Sequence, residues 1–165
     1  MRFSFALVCS FAALPGLTSL AQAQDNSLKA FTTDGCSMWI DGTPMHPYLW
    51  RHCCVAHDKA YWIGGSAQQR ADADSALQAC VTTAIGAGMG DYMHMGVIMG
   101  GSPIWLTPYR WGYGWSYLEE GKLRGYKSLT DDEQAQVAEL LPQAEQTIAQ
   151  DAIKHPADST VLTGK

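Results

Sequence analysis

Cys53 and Cys54 stand side by side in "LWRHCCVAHDKAYWIGG" (Leu49–Gly65), with Cys36 upstream and Cys80 downstream. Consecutive side chains on a helix diverge by about 100°. The two sulfurs therefore leave in different directions, and each needs a partner from a different part of the chain. A metal cluster, a redox pair and a helix pinned by disulfides are the three ways to use such a pair. The compartment weighs heavily on the choice. Residues 1–23 read as a secretory signal, with Arg2 at the start, an apolar run, and Ala21-Gln22-Ala23 as the small–x–small cleavage site. A membrane anchor is the competing reading, but Pro15, Gly16 and several Ser/Thr interrupt the run, and no other stretch is apolar for long enough to span a bilayer. The remainder, 24–165, has the length of one domain with a core of its own. It is expected to be secreted or periplasmic, where four cysteines most often form two disulfides. The chain holds 11 Lys+Arg against 16 Asp+Glu. That balance excludes nucleic acid as the expected partner, because phosphate binding needs concentrated cations.

The pattern of breakers predicts a mainly α fold. "DGCSMWIDGTPMHP" (Asp34–Pro47) is dense in Asp, Gly and Pro and reads as a structured loop. Pro47 suits the first position of a helix, which should run through Ile63 and stop at Gly64-Gly65. Ser66 with Gln69 forms a capping box for a second helix, expected to reach Ile85 and to end in the glycines of "GAGMG". The short Gly-Gly-Ser connection implies an antiparallel pair. Residues 90–126 are rich in Gly, Met and aromatics without a clean period, and only a short helix or hairpin is expected there. Thr130 with Glu133 makes a second capping box for a C-terminal helix, interrupted by Pro142 and continuing past a kink. No strand of ordinary length and no internal repeat stands out.

Residues at i, i+4, i+7 and i+8 share a helix face, so Cys53, His57, Ala60 and Tyr61 form one stripe. Ala73, Leu77 and Cys80 form the facing stripe, with Asp74 at its edge. Pairing Cys53 with Cys80 brings His57 and Tyr61 near Asp74, and stabilises the helix pair by roughly 3–4 kcal/mol. Cys54 then points to the other flank, where Cys36 can tie the Asp/Gly loop to the helix. The rival is zinc held by Cys53, Cys54, His57 and either Cys80 or His52, but the paired C-x-x-C spacing is missing. A lone histidine facing a partner helix is usually a hydrogen-bonded core residue. Here Asp74 can hold one ring nitrogen and favour proton uptake at the other. Asp58, Asp34 and nearby backbone carbonyls offer hard oxygen ligands suited to calcium. A base beside a bound cation is apparatus for water attack on a carbonyl.

"CCVAHDKAY" resembles the catalytic-helix signature C-C-x-x-H-D-x-C-Y of the secreted phospholipase A2 family. Asp74 and Cys80 match the spacing of that family's second catalytic Asp and the cysteine bonded to the first of its C-C pair. Ala60 and Ala73 stand where the family places two bonded cysteines, so both halves of one bridge are missing together. "DGCS" is similar to the calcium-loop segment of the short bacterial members, whereas the animal-type loop Y-G-C-x-C-G-x-G-G is absent. The resemblance spans Asp34 to Val81. It implies His57 as general base, Asp74 as its orienting partner, Tyr61 as support for Asp74, and Asp58 as main Ca2+ ligand. Asp34 and the Gly35 carbonyl become the loop ligands, with Asp41 in reserve. The pairing implied is Cys36–Cys54 and Cys53–Cys80.

The expected fold is then a disulfide-linked antiparallel pair of catalytic helices with a calcium loop and a C-terminal helix. The expected function is calcium-dependent hydrolysis of a fatty-acyl ester of phospholipids, with a membrane surface as partner. The alternatives are an inactive binding or toxin-like module on the same scaffold, and a hydrolase of another ester or amide. Trp105, Tyr109, Trp111, Tyr113 and Trp115 either seat the protein at a lipid surface or cover the helix pair. Met89, Met93, Met95 and Met99 either line an adaptable apolar pocket or fill core. His46, His52 and His94 have no partner identifiable from the sequence.

Overall fold

A computed structural model of the chain describes residues 26–157. The leader expected over residues 1–23 lies outside the described residues, as do both ends of the expected domain. The described chain is mainly helical: α1 (Arg51–Ile63), α2 (Ala67–Ile85), α3 (Ala87–Gly100) and α4 (Asp131–Lys154). Two short strands, β1 (Leu118–Glu119) and β2 (Lys122–Leu123), pair antiparallel before α4. Among the described residues, no helix is long and apolar enough to cross a membrane.

Both disulfides form, Cys36 to Cys54 and Cys53 to Cys80. The bonds between α1 and α2 join Cys53 to Cys80, His57 to Asp74 and Tyr61 to Arg70. Partner numbers fall along α2 as they rise along α1, the order of two helices folded back on one another. Both capping boxes are present, Ser66 with Gln69 and Thr130 with Glu133. Each satisfies two backbone donors that a helix start leaves without partners.

Two boundaries differ from the sequence reading. α1 begins at Arg51, four residues later than Pro47. The Trp50 N–H goes to the Asp41 carbonyl at 3.0 Å and its indole N–H to the Ile40 carbonyl at 2.8 Å. Tertiary contacts hold this fully buried residue in a turn ahead of the helix. The second difference is α3, which is separated from α2 by the single residue Gly86. Gly86, at φ 108°, makes the sharp turn, a conformation open to glycine at little cost. Gly90 packs so closely on α2 that a Cβ there would lie 2.8 Å from the Gln78 carbonyl oxygen. Gly86 ends α2 at Ile85 as expected, and Gly90 lets α3 touch it. The hairpin turns through Glu120 and Gly121, both at positive φ, as the tightest hairpins require. α4 continues through Pro142 to Lys154.

α1 divides two apolar clusters. Trp50, Cys53 and Cys54 pack with Leu77, Val81 and Met93 on one side. Trp62 packs with Leu28, Phe31, Trp115 and Ala144 of α4 on the other. Arg51 links the ends of this frame, binding Asp41 in the loop and Asp151 near the end of α4.

Candidate active site

α1 presents His57, Asp58 and Tyr61, and α2 presents Asp74. The structure brings three of these into one network. His57 Nε2 lies 3.0 Å from Asp74 Oδ1, and the Tyr61 hydroxyl donates to the same oxygen at 2.7 Å. Asp74 and Tyr61 are buried. Burial holds the Tyr61 hydroxyl far above its ordinary range, with Asp74 adding to the rise and Arg70 opposing it, so it stays a donor. Gly101 closes over Tyr61: a Cβ there would collide with the phenol.

His57 and Asp58 face a cavity of about 550 Å³. Tyr61, Leu77, Met93, Val97 and Tyr109 are among its lining residues, as are the exposed Met38, Trp39, Tyr92, Met99 and Trp105. Most of that lining is apolar, which suits a greasy ligand oriented by a few polar groups. Trp39 from the loop and Tyr92 from α3 meet with ring centroids 4.9 Å apart.

Asp58 is buried, and its Oδ2 accepts the Thr33 hydroxyl at 2.6 Å. Burial raises its pKa from 3.8 to about 7; the Thr33 hydrogen bond and Arg51 oppose the rise, and Asp34 and Asp41 reinforce it. A buried carboxylate with this much uncompensated charge fits an oxygen-seeking divalent cation. Gly35 lines the same cavity, while its carbonyl accepts the Ser37 N–H at 3.1 Å. Asp34 is exposed, its carboxylate takes the Ser37 hydroxyl at 2.7 Å, and its carbonyl takes Arg51. Asp58 and Gly35 thus share a cavity with His57, and Asp34 sits just outside. Asp41, the reserve ligand, accepts the Cys36 N–H and the Arg51 guanidinium. It holds the loop together.

His52 Nε2 lies 3.4 Å from Cys53 Sγ and 3.6 Å from Cys80 Sγ. Those sulfurs are bonded to each other, so the zinc alternative loses its thiolate ligands.

The aromatic stretch divides. Trp111 and Trp115 are 2 % and 1 % exposed, and their indoles donate to the Gly65 and Ile63 carbonyls. They cap the turn after α1 and cannot seat the protein on lipid. Tyr113 reaches the Thr32 carbonyl at 2.6 Å. Trp105 and Tyr109 instead border the cavity. Of the methionines, Met93 and Met99 line it, Met89 packs on the core, and Met95 is exposed.

Arg70 and Thr33 were not singled out from sequence. Arg70 could have been: it precedes Asp74 by one helical turn on α2, a spacing that favours an ion pair. Nothing local marks Thr33, which reaches Asp58 across 25 positions.

Compared with models of known protein families, with curated proteins and with solved structures, the chain matches none.

Proposed function

We propose that the protein is an exported, calcium-dependent, phospholipase A2-like esterase that hydrolyses a fatty-acyl ester of phospholipids. The observation that carries this reading is the His57–Asp74–Tyr61 network set in the wall of an apolar cavity. On this reading α1 and α2 are an antiparallel catalytic pair, and residues 34–41 with Asp58 form the calcium loop. With Nε2 held by Asp74, Nδ1 of His57 is the nitrogen that takes a proton from water. The resulting hydroxide adds to the ester carbonyl carbon. The tetrahedral adduct then collapses, and the departing alkoxide recovers the proton from the imidazolium. Asp74 keeps the ring in the required tautomer, and Tyr61 keeps Asp74 in place. Asp58, the Gly35 carbonyl and Asp34 would hold calcium, which when bound supplies a Lewis acid for the carbonyl oxygen. The acyl chain enters the cavity between Leu77 and α3.

An uncharged rim supports a lipid surface as the partner. Tyr92 to Tyr109 contains no Asp, Glu, Lys or Arg, and Met38, Ile98, Met99, Ile104, Trp105 and Leu106 are all exposed. An exposed apolar area around a cavity marks a contact surface. The test is fatty-acid release from mixed phospholipid vesicles, with calcium and with chelator. Release with calcium, lost in chelator and in His57→Ala, is the expected result. Lipid binding without release would point instead to an inactive binding module.

A further inference from the structure

Arg70 has no part in the chemistry above, yet it touches the network and the cavity wall at once. It is buried on α2. Its Nε donates to the Tyr61 hydroxyl at 3.0 Å and lies 3.6 Å from Asp74 Oδ2. Nη1 donates to the Tyr126 hydroxyl at 2.6 Å. Nη2 donates to the carbonyls of Val97 and Ile98, at 2.7 and 2.9 Å. Those carbonyls lie in the last turn of α3, where the dipole favours a cation; the Val97 carbonyl also accepts the Gly101 N–H at 2.9 Å. Val97 also lines the cavity.

The direction of the Tyr61 proton follows. A phenol has one proton. Its oxygen accepts from Arg70, which leaves that proton for Asp74 Oδ1, 2.7 Å away. Without the guanidinium the hydroxyl can rotate, and Asp74 loses both a fixed donor and its cationic neighbour. The end of α3 loses its clasp in the same event.

We propose that Arg70 is a positioning residue that fixes His57 through Tyr61 and Asp74 and fastens the α3 wall of the cavity to that same unit. The proposal rests on the hydrolase reading for its kinetic consequence, but not for its structural one. The two are tested apart.

The first measurement is the ¹⁵N spectrum of the His57 ring in chelator, at a pH where the ring is neutral. Wild type is expected to show one tautomer, with the proton on Nε2, and Arg70→Gln a mixture. The second is turnover of a soluble short-chain ester with calcium. Arg70→Gln is expected to lower kcat about 10- to 100-fold, the scale of a misplaced catalytic group, with KM nearly unchanged. Combining it with Tyr61→Phe should add little, because residues acting through one another are not additive. Arg70→Lys keeps the buried charge and stands in where Arg70→Gln fails to fold. An ammonium cannot serve Tyr61 and two carbonyls in fixed geometry, so it too should lower kcat and mix the tautomers. A single tautomer and wild-type kcat in folded Arg70→Lys would overturn the proposal. Wild-type protein that releases no fatty acid would overturn the hydrolase reading, while the ring spectrum still decides the role of Arg70.

Discussion

At the scale of single residues, neighbouring side chains on α1 have opposite surroundings. His57 has the Asp74 carboxylate at 3.0 Å. Asp58 is buried with the Thr33 hydroxyl as donor, and Arg51 opposes only part of the effect of that burial. Asp58→Asn removes the buried charge while keeping an oxygen for Thr33. In chelator at neutral pH the variant should therefore melt no lower than wild type. Calcium at a hundredfold excess over Kd should stabilise wild type by about 2.7 kcal/mol and leave the variant nearly unmoved. Melting curves with calcium and with chelator check both halves; a full calcium shift in Asp58→Asn would remove Asp58 from the ligand set. Asp74→Asn carries a second cost. It takes a counter-charge from buried Arg70, and breaking one side of a buried pair typically costs about 3–5 kcal/mol. Reduced stability should accompany the weaker hold on His57, as denaturant midpoints and kcat measured together would reveal.

At the scale of elements, the region after α2 supplies part of the cavity's wall and part of its rim. Residues 111–115 turn inward, whereas Ile98, Met99, Ile104, Trp105 and Leu106 are exposed. Trp111→Ala should destabilise the fold by about 3–5 kcal/mol, the usual cost of emptying a buried aromatic site, and should leave vesicle affinity per folded molecule unchanged. Trp105→Ala paired with Leu106→Ser should do the reverse, weakening vesicle binding with little change in midpoint. Denaturation and vesicle sedimentation on the same preparations separate the two. Loss of vesicle binding in folded Trp111→Ala would contradict this division.

At the scale of the whole molecule, the N-terminal segment, the hairpin and α4 meet at Glu133. It is 2 % exposed, and burial alone would raise its pKa. Hydrogen bonds from Arg124, Lys127, the Thr130 N–H and Asn26 more than offset that, lowering it from 4.5 to about 2. A carboxylate whose pKa is depressed in the fold contributes stability that is present above the unfolded value and lost as the pH falls. Between pH 4.5 and about 2 the fold should therefore lose on the order of 3 kcal/mol through this group. Glu133→Gln should be less stable at neutral pH and should lose less than wild type on acidification. Denaturant midpoints from pH 6 to pH 2 provide the check, and parallel curves for the two proteins would rule the group out.

Much of this arrangement is legible along the chain. Both capping boxes act within four residues, so local backbone chemistry places the starts of α2 and α4. The 3.6-residue repeat puts Cys53, His57 and Tyr61 on one stripe, and a short turn brings Asp74 and Cys80 opposite. The Cys53–Cys80 disulfide and the His57–Asp74–Tyr61 contacts agree with that periodicity. Other features depend on contacts that no local pattern encodes. Trp50 delays α1 because carbonyls of residues 40 and 41 reach it, and Gly90 serves a helix because α2 lies against it. Trp111 and Trp105 are the same residue type six positions apart, yet one is buried and the other borders the cavity. Which way an aromatic side chain turns in a glycine-rich segment is set by the surfaces already assembled around it. Arg70 joins Tyr61, Tyr126 and the end of α3 for the same reason: its partners become neighbours only when three helices and a loop have packed.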